Sequence, residues 1–351
     1  MLSAEIYNHH LNFIIPGGTS RGILNEKLTW YIKITDLNKE NIFGIGECGP
    51  IKGLSIDNFK EIPNKLNEIA DNINDLSQID YSKFPSIQFA LENAINDLKN
   101  GGKRVIFNNS FIDGNPIKIN GLIWMGNKEF MLKQIKEKLE KGYSCLKLKI
   151  GAIDFEDEIS LLKIIRKKFS SEYLEIRVDA NGAFLFQNIF NKLEQLDRLD
   201  IHSIEQPISV NQWEEMKEIC HLSPIPIVLD EELINLNLEK EELLEYIKPQ
   251  YIVLKPSLLG GFLSTKEWID AANKKNINWW ITSALESNIG LNAIAQFCSE
   301  YKLELPQGLG TGQLFSNNIP SPLSLDGEKL FYNSQKKWDF SILKNNDRNQ
   351  L

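Results

Sequence analysis

The first part of the chain alternates between apolar and polar positions in the two-residue period of half-buried strands. Helical periodicity then takes over. The predicted strands are 4–15, 27–36 and 41–47, and the predicted helices are 54–76 and 86–99. Strands that precede helices in this way predict a small α+β unit over residues 1–115.

From residue 116 on, short apolar stretches alternate with amphipathic helical stretches. The predicted strands are 117–124, 145–150, 174–179, 201–205, 225–230, 251–255 and 277–282, with a weak eighth at 303–305. The helices that follow them are 128–141, 154–169, 187–197, 211–220, 239–247, 260–275 and 289–300. This succession predicts a parallel α/β barrel over 116–312, with a doubly wound open sheet as the alternative, because both folds share the same local period. Residues 313–351 leave the alternation, and we expect them to join the N-terminal unit.

The predicted strand at 145–150 contains two lysines on one face. Lys147 and Lys149 alternate with Leu146, Leu148 and Ile150, which point the other way. A solvated face of an exposed antiparallel strand would also explain them, since lysine is ordinarily a surface residue. The amphipathic helical stretches on both sides favour a covered parallel strand, in which charged residues need a specific reason.

Charged residues recur at the ends of five consecutive predicted strands, about every 25 to 30 residues. They are Lys149, Asp179, Glu205, Asp230 and Lys255. Strands commonly end in polar loop residues, which would account for any one of these positions. Five positions in register instead predict that the charges converge at the barrel mouth, where active sites lie.

Three carboxylates at one mouth would repel one another and would need a compensating cation. Hard divalent ions accept oxygen ligands, and Mg²⁺ typically keeps positions for water and substrate. The sequence therefore predicts a Mg²⁺ site, with Mn²⁺ left open, at Asp179, Glu205 and Asp230. Glu232 shares the predicted face of Asp230 and could be mistaken for the third ligand.

A metal between two lysines indicates proton removal next to a carboxylate. The resulting enediolate forms readily only when preorganised positive charge meets its second negative charge. A lysine must be neutral to act as the base, and nearby cations destabilise the protonated form. Lys147 and the metal would both act on Lys149 in this way.

Composition narrows the choice of partner and compartment. The 351 residues are 42% hydrophobic and have a net charge of −8, which argues against nucleic acid or an anionic membrane as partner and favours a small molecule. Four cysteines show no paired spacing, and no transmembrane or leader stretch is predicted, so a cytoplasmic protein is expected. The cysteines are Cys48, Cys145, Cys220 and Cys298.

The strand-end motifs resemble those of the enolase superfamily, in its muconate lactonizing enzyme-like group. The matching segments are KLK (147–149), RVDANG (177–182), SIEQP (203–207), VLDEE (228–232), LKPS (254–257), SALESN (283–288), GIGECGP (44–50) and GLGTG (308–312). The resemblance covers essentially the whole chain. It implies a (β/α)7β TIM-like barrel with an α+β capping domain formed by residues 1–115 and the tail 313–351.

The resemblance also implies mobile loops over the barrel mouth. A capping loop at Thr19, Ser20 and Arg21 and a second loop at 48–53 would exclude water from the site. Their glycines and prolines would equally suit ordinary flexible turns.

Within this group the chain resembles the o-succinylbenzoate synthase family. This implies a Mg²⁺-dependent lyase (hydro-lyase) of menaquinone biosynthesis, which converts 2-succinyl-6-hydroxy-2,4-cyclohexadiene-1-carboxylate to 2-succinylbenzoate by syn dehydration. Lys149 would be the base and then the acid, and Lys255 would steady the enediolate, also by cation–π contact with the diene. The implied contacts with substrate are Lys147, Arg177, Asn181, Ser283, Glu286 and Ser287, although Ser287 also suits a helix N-cap.

Other members of the group share the same catalytic core. N-acylamino acid racemases, dipeptide epimerases and muconate cycloisomerases are therefore alternatives. Dipeptide epimerases typically carry a DxD motif after the last strand, where this chain has GLGTG at 308–312. A non-catalytic carboxylate-binding barrel is an alternative of another class, but binding alone would not require two opposed lysines.

Overall fold

An antiparallel sheet backed by two helices forms the N-terminal unit. The computed structural model describes residues 1–19, 22–39, 42–234 and 239–344. The sheet has the order β1-β2-β3, and its strands and helices are β1 (Leu2–Thr19), β2 (Gly22–Asp36), β3 (Phe43–Cys48), α1 (Ile62–Asp71) and α2 (Pro85–Lys99). The first helix is much shorter than the predicted 54–76, because it begins only at the turn that contains Pro63, a residue suited to the first turn of a helix.

Glycines let β3 pack directly on α2. A Cβ at Gly46 would overlap the backbone carbonyl of Ala90, and one at Gly44 would overlap that of Ala94. We expect Gly46→Ala to lower the free energy of unfolding by about 1–3 kcal/mol or more, because neither backbone can yield easily. Urea unfolding would measure this, with Gly310→Ala as the control, since a Cβ there meets nothing closer than 3.8 Å. Equal stability losses in the two variants would contradict the prediction.

Seven parallel strands follow in sequential order. The predicted strand 117–124 divides into β4 (Ile117–Lys118), which belongs to another sheet, and β5 (Gly121–Ile123). The parallel sheet consists of β5, β6 (Cys145–Lys149), β7 (Glu175–Asp179), β8 (Ser203–Glu205), β9 (Ile227–Leu229), β10 (Tyr251–Leu254) and β11 (Asn278–Ile281). The main hydrophobic core lies inside and around this sheet.

Helices connect the strands. They are α3 (Lys128–Glu140), α4 (Phe155–Lys168), α5 (Phe186–Asp197), α6 (Trp213–Leu222), α7 (Lys240–Ile247), α8 (Pro256–Leu259), α9 (Gly261–Lys274) and α10 (Asn288–Cys298). The sequence marks some of their ends: the Asp154 side chain caps α4, whose first turn is acidic and whose last turn is basic, as the helix dipole favours. Nowhere in the described ranges is a helix long and apolar enough to cross a membrane.

The sheet closes into a barrel through residues 307 and 308. Gln307 bridges in parallel to Ile119, and Gly308 bridges to Thr282 after β11. The eighth strand position is therefore at 307–308 and not at the predicted 303–305. This closure excludes the doubly wound open sheet and agrees with the predicted barrel.

The C-terminal tail contacts both parts of the molecule. Its hairpin, β12 (Leu323–Asp326) and β13 (Lys329–Tyr332), pairs with β4, whereas Phe340 packs edge-on against Phe43 of β3. The domain limits at 115/116 and 312/313 therefore stay a prediction.

Candidate active site

The strand ends bring the predicted charges to one level of the barrel. In the parallel register, Lys149 of β6 pairs with Asp179 of β7, which in turn pairs with Glu205 of β8. Asp230 follows β9 directly, and Lys255 follows β10. The five groups therefore surround the carboxyl-end mouth, as their spacing along the chain predicted.

Lys147 lies at the centre of the acidic groups. Its Nζ is 2.6 Å from both carboxylate oxygens of Glu205 and 2.9 Å from Oδ2 of Asp179. Lys147 and both acids are buried. The ammonium group therefore balances charge between two adjacent strands.

Burial and mutual repulsion set the protonation of this cluster. Burial opposes the charged form of Lys147, but its acidic neighbours outweigh this effect and hold its pKa above the ordinary value. Burial likewise opposes ionisation of Asp179, yet Lys147 and Lys149 lower its pKa well below the usual range. Burial, followed by repulsion from Asp179, raises the pKa of Glu205. The two adjacent acids therefore differ, because ionisation is favoured at Asp179 and opposed at Glu205.

Lys149 and Lys255 face each other across the mouth. β6 and β10 are four positions apart in an eight-position barrel, so their ends are diametrically opposed. Lys149 Nζ donates to Oδ2 of Asp179 at 2.8 Å and to Oδ1 of Asn181 at 2.7 Å. Lys255 pairs with Asp230, and both lysines line the same pocket.

The two glutamates after Asp230, Glu231 and Glu232, point in directions that strand alternation does not predict. β9 ends at Leu229, and a 3-10 turn over Glu231–Leu233 replaces the extended backbone that was predicted. Glu231 therefore lines the pocket and accepts a hydrogen bond from Asn181 at 3.0 Å. Glu232 points away and accepts hydrogen bonds from Gln206, the backbone of Asn211 and the indole of Trp213. The expectation that Glu232 shares the face of Asp230 is wrong, because strand alternation stops at Leu229.

The pocket contains some of the predicted substrate contacts and not others. Lys147, Asn181 and Ser283 line it, whereas Glu286 and Ser287 lie behind its wall. A larger cleft of about 1030 Å³ lies near the amino ends of the strands and contains none of the strand-end charges.

Arg177 is placed inside the barrel and not at the pocket. Its side chain is 1% exposed, pairs with Glu175 and donates to the carbonyl of Pro306 at 3.0 Å. The guanidinium also stacks over the ring of Trp280 at 4.1 Å. Two-residue alternation put Arg177 on the face of Asp179 correctly, but its position lower on β7 keeps it away from the mouth.

Sequence reasoning placed the loop 48–53 at the mouth but named none of the residues that the N-terminal unit adds to the pocket. Leu24, Ile51, Lys52 and Leu54 line it together with Trp124. Lys52 lies within the predicted closing loop at 48–53, so its positive charge was the feature of the sequence that could have marked it as a pocket residue. Ser20 and Arg21 of the other predicted capping loop, which begins at Thr19, lie outside the described residues.

The donor set fits a hard divalent cation in its chemistry. Asp179, Glu205 and Asp230 are buried carboxylates at the ends of three adjacent strands, and carboxylate oxygens are the ligands that hard divalent ions prefer. As they stand, no three His, Cys, Asp or Glu side chains in the described ranges are spaced as ligands of one ion. Lys147 is the cation that Asp179 and Glu205 share.

Comparison with known proteins agrees with this architecture. The family model described as enolase C-terminal domain-like matches residues 131–314. The o-succinylbenzoate synthase of Desulfotalea psychrophila (strain LSv54 / DSM 12343) is 46% identical, over 91% of this chain and 96% of that protein. The crystal structure of MenC from Desulfotalea psychrophila LSv54 has a TM-score of 0.84 at 42% identity, covering 94% of this chain and 99% of the other.

A more distant structure shares the fold alone. The dipeptide epimerase from Cytophaga hutchinsonii, solved with Mg and the dipeptide D-Ala-L-Val, has a TM-score of 0.83 at 18% identity and covers 99% of this chain and 98% of its own. High identity over nearly the full length of a relative, together with the matching family model, settles the family. The chain belongs to the o-succinylbenzoate synthase family of the enolase superfamily.

Proposed function

We propose that the chain is an o-succinylbenzoate synthase, a hydro-lyase that dehydrates 2-succinyl-6-hydroxy-2,4-cyclohexadiene-1-carboxylate to 2-succinylbenzoate in menaquinone biosynthesis. The observation that supports this most directly is 46% identity to a synthase over 96% of its length. The opposed Lys149 and Lys255 in one pocket suit proton removal next to a carboxylate.

Lys149 is the proposed base. A neutral amine has two N–H bonds, and the oxygens of Asp179 and Asn181 can accept both of them. The nitrogen lone pair is then left for the pocket, which Lys149 lines. The amine removes the proton on the carbon next to the ring carboxylate. The resulting ammonium donates that proton to the departing hydroxyl on the same face, so the products are the aromatic ring and water.

Lys255 is the proposed partner on the opposite side. Burial opposes its charged form, but attraction to Asp230 raises its pKa, so it stays protonated and stabilises negative charge on the substrate. Mg²⁺, when bound, would supply further positive charge to the substrate carboxylate. Asp179, Glu205 and Asp230 are the residues proposed to hold it, with Mn²⁺ as the alternative ion.

The proposed substrate and location follow from the same features. The pocket combines lysines with apolar side chains such as Leu54, Leu122 and Trp124, which suits a small carboxylate with a ring. A cytoplasmic location is proposed because all four cysteines are buried free thiols.

Turnover of competing substrates tests this function. With Mg²⁺, we expect rapid dehydration of the cyclohexadiene substrate, measured as the loss of its absorbance. Racemisation of N-succinyl amino acids should be slower. EDTA should stop both reactions, and restored Mg²⁺ should recover them. Faster turnover of the amino acids would instead favour an N-acylamino acid racemase, and turnover of dipeptides or muconate would favour the corresponding family members.

A further inference from the structure

One wall of the pocket is held from behind by two charged residues of the N-terminal sheet. The wall is the loop 283–287 between β11 and α10, and its residues Ser283, Ala284 and Leu285 line the pocket. Lys27 of β2 and Glu47 of β3 are buried behind this loop, at 7% and 0% exposure. Neither of them lines the pocket.

Glu47 caps α10 although it lies 240 residues before that helix. Its Oε1 accepts a hydrogen bond from the backbone N of Ser287 at 2.7 Å, and its Oε2 accepts one from the backbone N of Gly290 at 2.8 Å. The Ser287 hydroxyl also donates to Oε2 at 2.6 Å. The first N–H groups of a helix lack partners within the helix, and its dipole favours a carboxylate there. Ser287 is itself the N-cap residue and accepts a hydrogen bond from the backbone N of Ile289 at 3.2 Å, so Glu47 adds a second capping group from the N-terminal sheet.

Lys27 holds the preceding turn of the same loop. Its Nζ donates to the carbonyl of Leu285 at 2.8 Å and approaches that of Ala284 at 3.4 Å. Leu285 has a φ of 64°, a left-handed conformation that residues with side chains adopt only when their surroundings hold them. The ammonium group therefore stabilises a strained residue that forms part of the pocket wall.

The two charged residues are close enough to influence each other's pKa. Burial lowers the pKa of Lys27 and raises that of Glu47, and their mutual attraction opposes both shifts. Gly49 leaves them room, since a Cβ there would lie 2.7 Å from Lys27 Nζ and 3.2 Å from Glu47 Oε1.

The loop is also tied to the segment that contains Lys255. Glu286 accepts a hydrogen bond from the backbone N of Ala284 at 2.6 Å and another from the hydroxyl of Ser257 at 2.5 Å. Ser257 is two residues beyond Lys255. Contacts therefore run from the N-terminal sheet through the loop to Ser257, two residues beyond one of the proposed catalytic lysines.

We propose that Lys27 and Glu47 are positioning residues, which fix the pocket wall at 283–285 from the N-terminal unit and so determine substrate selectivity. This inference rests on the proposed function for its substrates, but not for its structural test. A positioning role differs from a general stabilising role, because it predicts that substrate selectivity changes while kcat stays nearly constant.

Two variants disturb the pair, and a third serves as the matched control. Glu47→Gln keeps the size of the side chain but removes its charge, and Gly49→Ala displaces Lys27 while both charges remain. Asp97→Asn is the control, because Asp97 is equally buried, accepts a hydrogen bond from Ile45 of β3 and pairs with Arg104, away from the pocket loop. Should Glu47→Gln fail to fold, Gly49→Ala supplies the result.

We expect both test variants to raise the KM for the cyclohexadiene substrate roughly tenfold, with kcat and Mg²⁺ affinity little changed, because binding geometry and not the base is altered. The ratio of kcat/KM between this substrate and an N-succinyl amino acid should shift by a similar factor. Amide hydrogen exchange should show lost protection at Ala284, Ser287 and Gly290. Asp97→Asn should lower the unfolding midpoint without changing the ratio.

Three results would overturn the inference. The first is unchanged exchange at 284–290 in both variants, which decides the matter whether or not the protein turns over any substrate. The second is a loosened loop with an unchanged selectivity ratio. The third is a change in the ratio of kcat/KM between the two substrates in Asp97→Asn, which would mean that loss of stability alone alters selectivity. Failure of the proposed function would show separately, as a wild-type protein that does not dehydrate the cyclohexadiene substrate.

Discussion

Lys149→Ala is expected to lower kcat for dehydration roughly 10³- to 10⁴-fold, because the variant has no group to remove the proton or return it to the hydroxyl. Lys149 contacts Asp179, but Lys147 also pairs with that carboxylate, so the acidic cluster keeps a cation after the substitution. Mg²⁺ affinity should therefore stay near the wild-type value. Steady-state dehydration rates and calorimetric Mg²⁺ titration would measure the two effects.

A surface lysine provides the control for this substitution. Lys266 of α9 is exposed and pairs with Asp270 at 2.7 Å, so Lys266→Ala should leave both measurements unchanged. Lys255→Ala should also impair dehydration, because it removes positive charge from the opposite side of the pocket. Wild-type rates in Lys149→Ala would refute the assigned base.

Glu205→Gln is expected to lower kcat/KM at fixed Mg²⁺ by about 10²- to 10³-fold, because it removes one negative charge from the middle of the proposed ligand set. Glu205 ends β8, which lies between β7, the strand of Asp179, and β9, the strand that Asp230 follows. Its loss also leaves Lys147 with Asp179 as its remaining ion-pair partner. The Mg²⁺ concentration for half-maximal activity should rise, and excess Mg²⁺ should recover part of the rate.

Glu232→Gln is the matched control, since Glu232 is a buried acid on the adjacent turn that bonds Gln206 and Trp213. This variant should keep its Mg²⁺ dependence even if its stability falls. Normal Mg²⁺ dependence in Glu205→Gln, or a Mg²⁺ defect confined to Glu232→Gln, would contradict the proposed ligand set.

The strand-end charges were predictable because two simple periods determine them. Side chains on a strand alternate with a period of two, and each strand and helix pair in a parallel barrel returns the chain to the same level. Lys149, Asp179 and Glu205 therefore met in register, as their spacing predicted. The chemical roles assigned to these residues stay predictions for the variants above.

Prediction failed where regular structure ended. Alternation could not place Glu231 and Glu232, because the backbone after Leu229 turns into a 3-10 helix. The substrate contact predicted for Glu286 stays a prediction, and in the structure this residue binds Ser257 and the loop backbone. Short turns follow local hydrogen bonds and neighbouring elements, which a sequence period does not encode.

The sequence by itself determined the order of strands and helices and the level at which five charged side chains would meet, because these depend on periods repeated along the chain. Closure of the sheet was decided by the bridges of Gln307 and Gly308, since an open sheet has the same local period. Only the tertiary structure decided which acid turns toward the pocket, that Arg177 stays inside the barrel, and that Lys27 and Glu47 hold a loop more than 200 residues away. Such contacts depend on how separate elements pack in space, and packing partners distant in sequence leave no periodic signal.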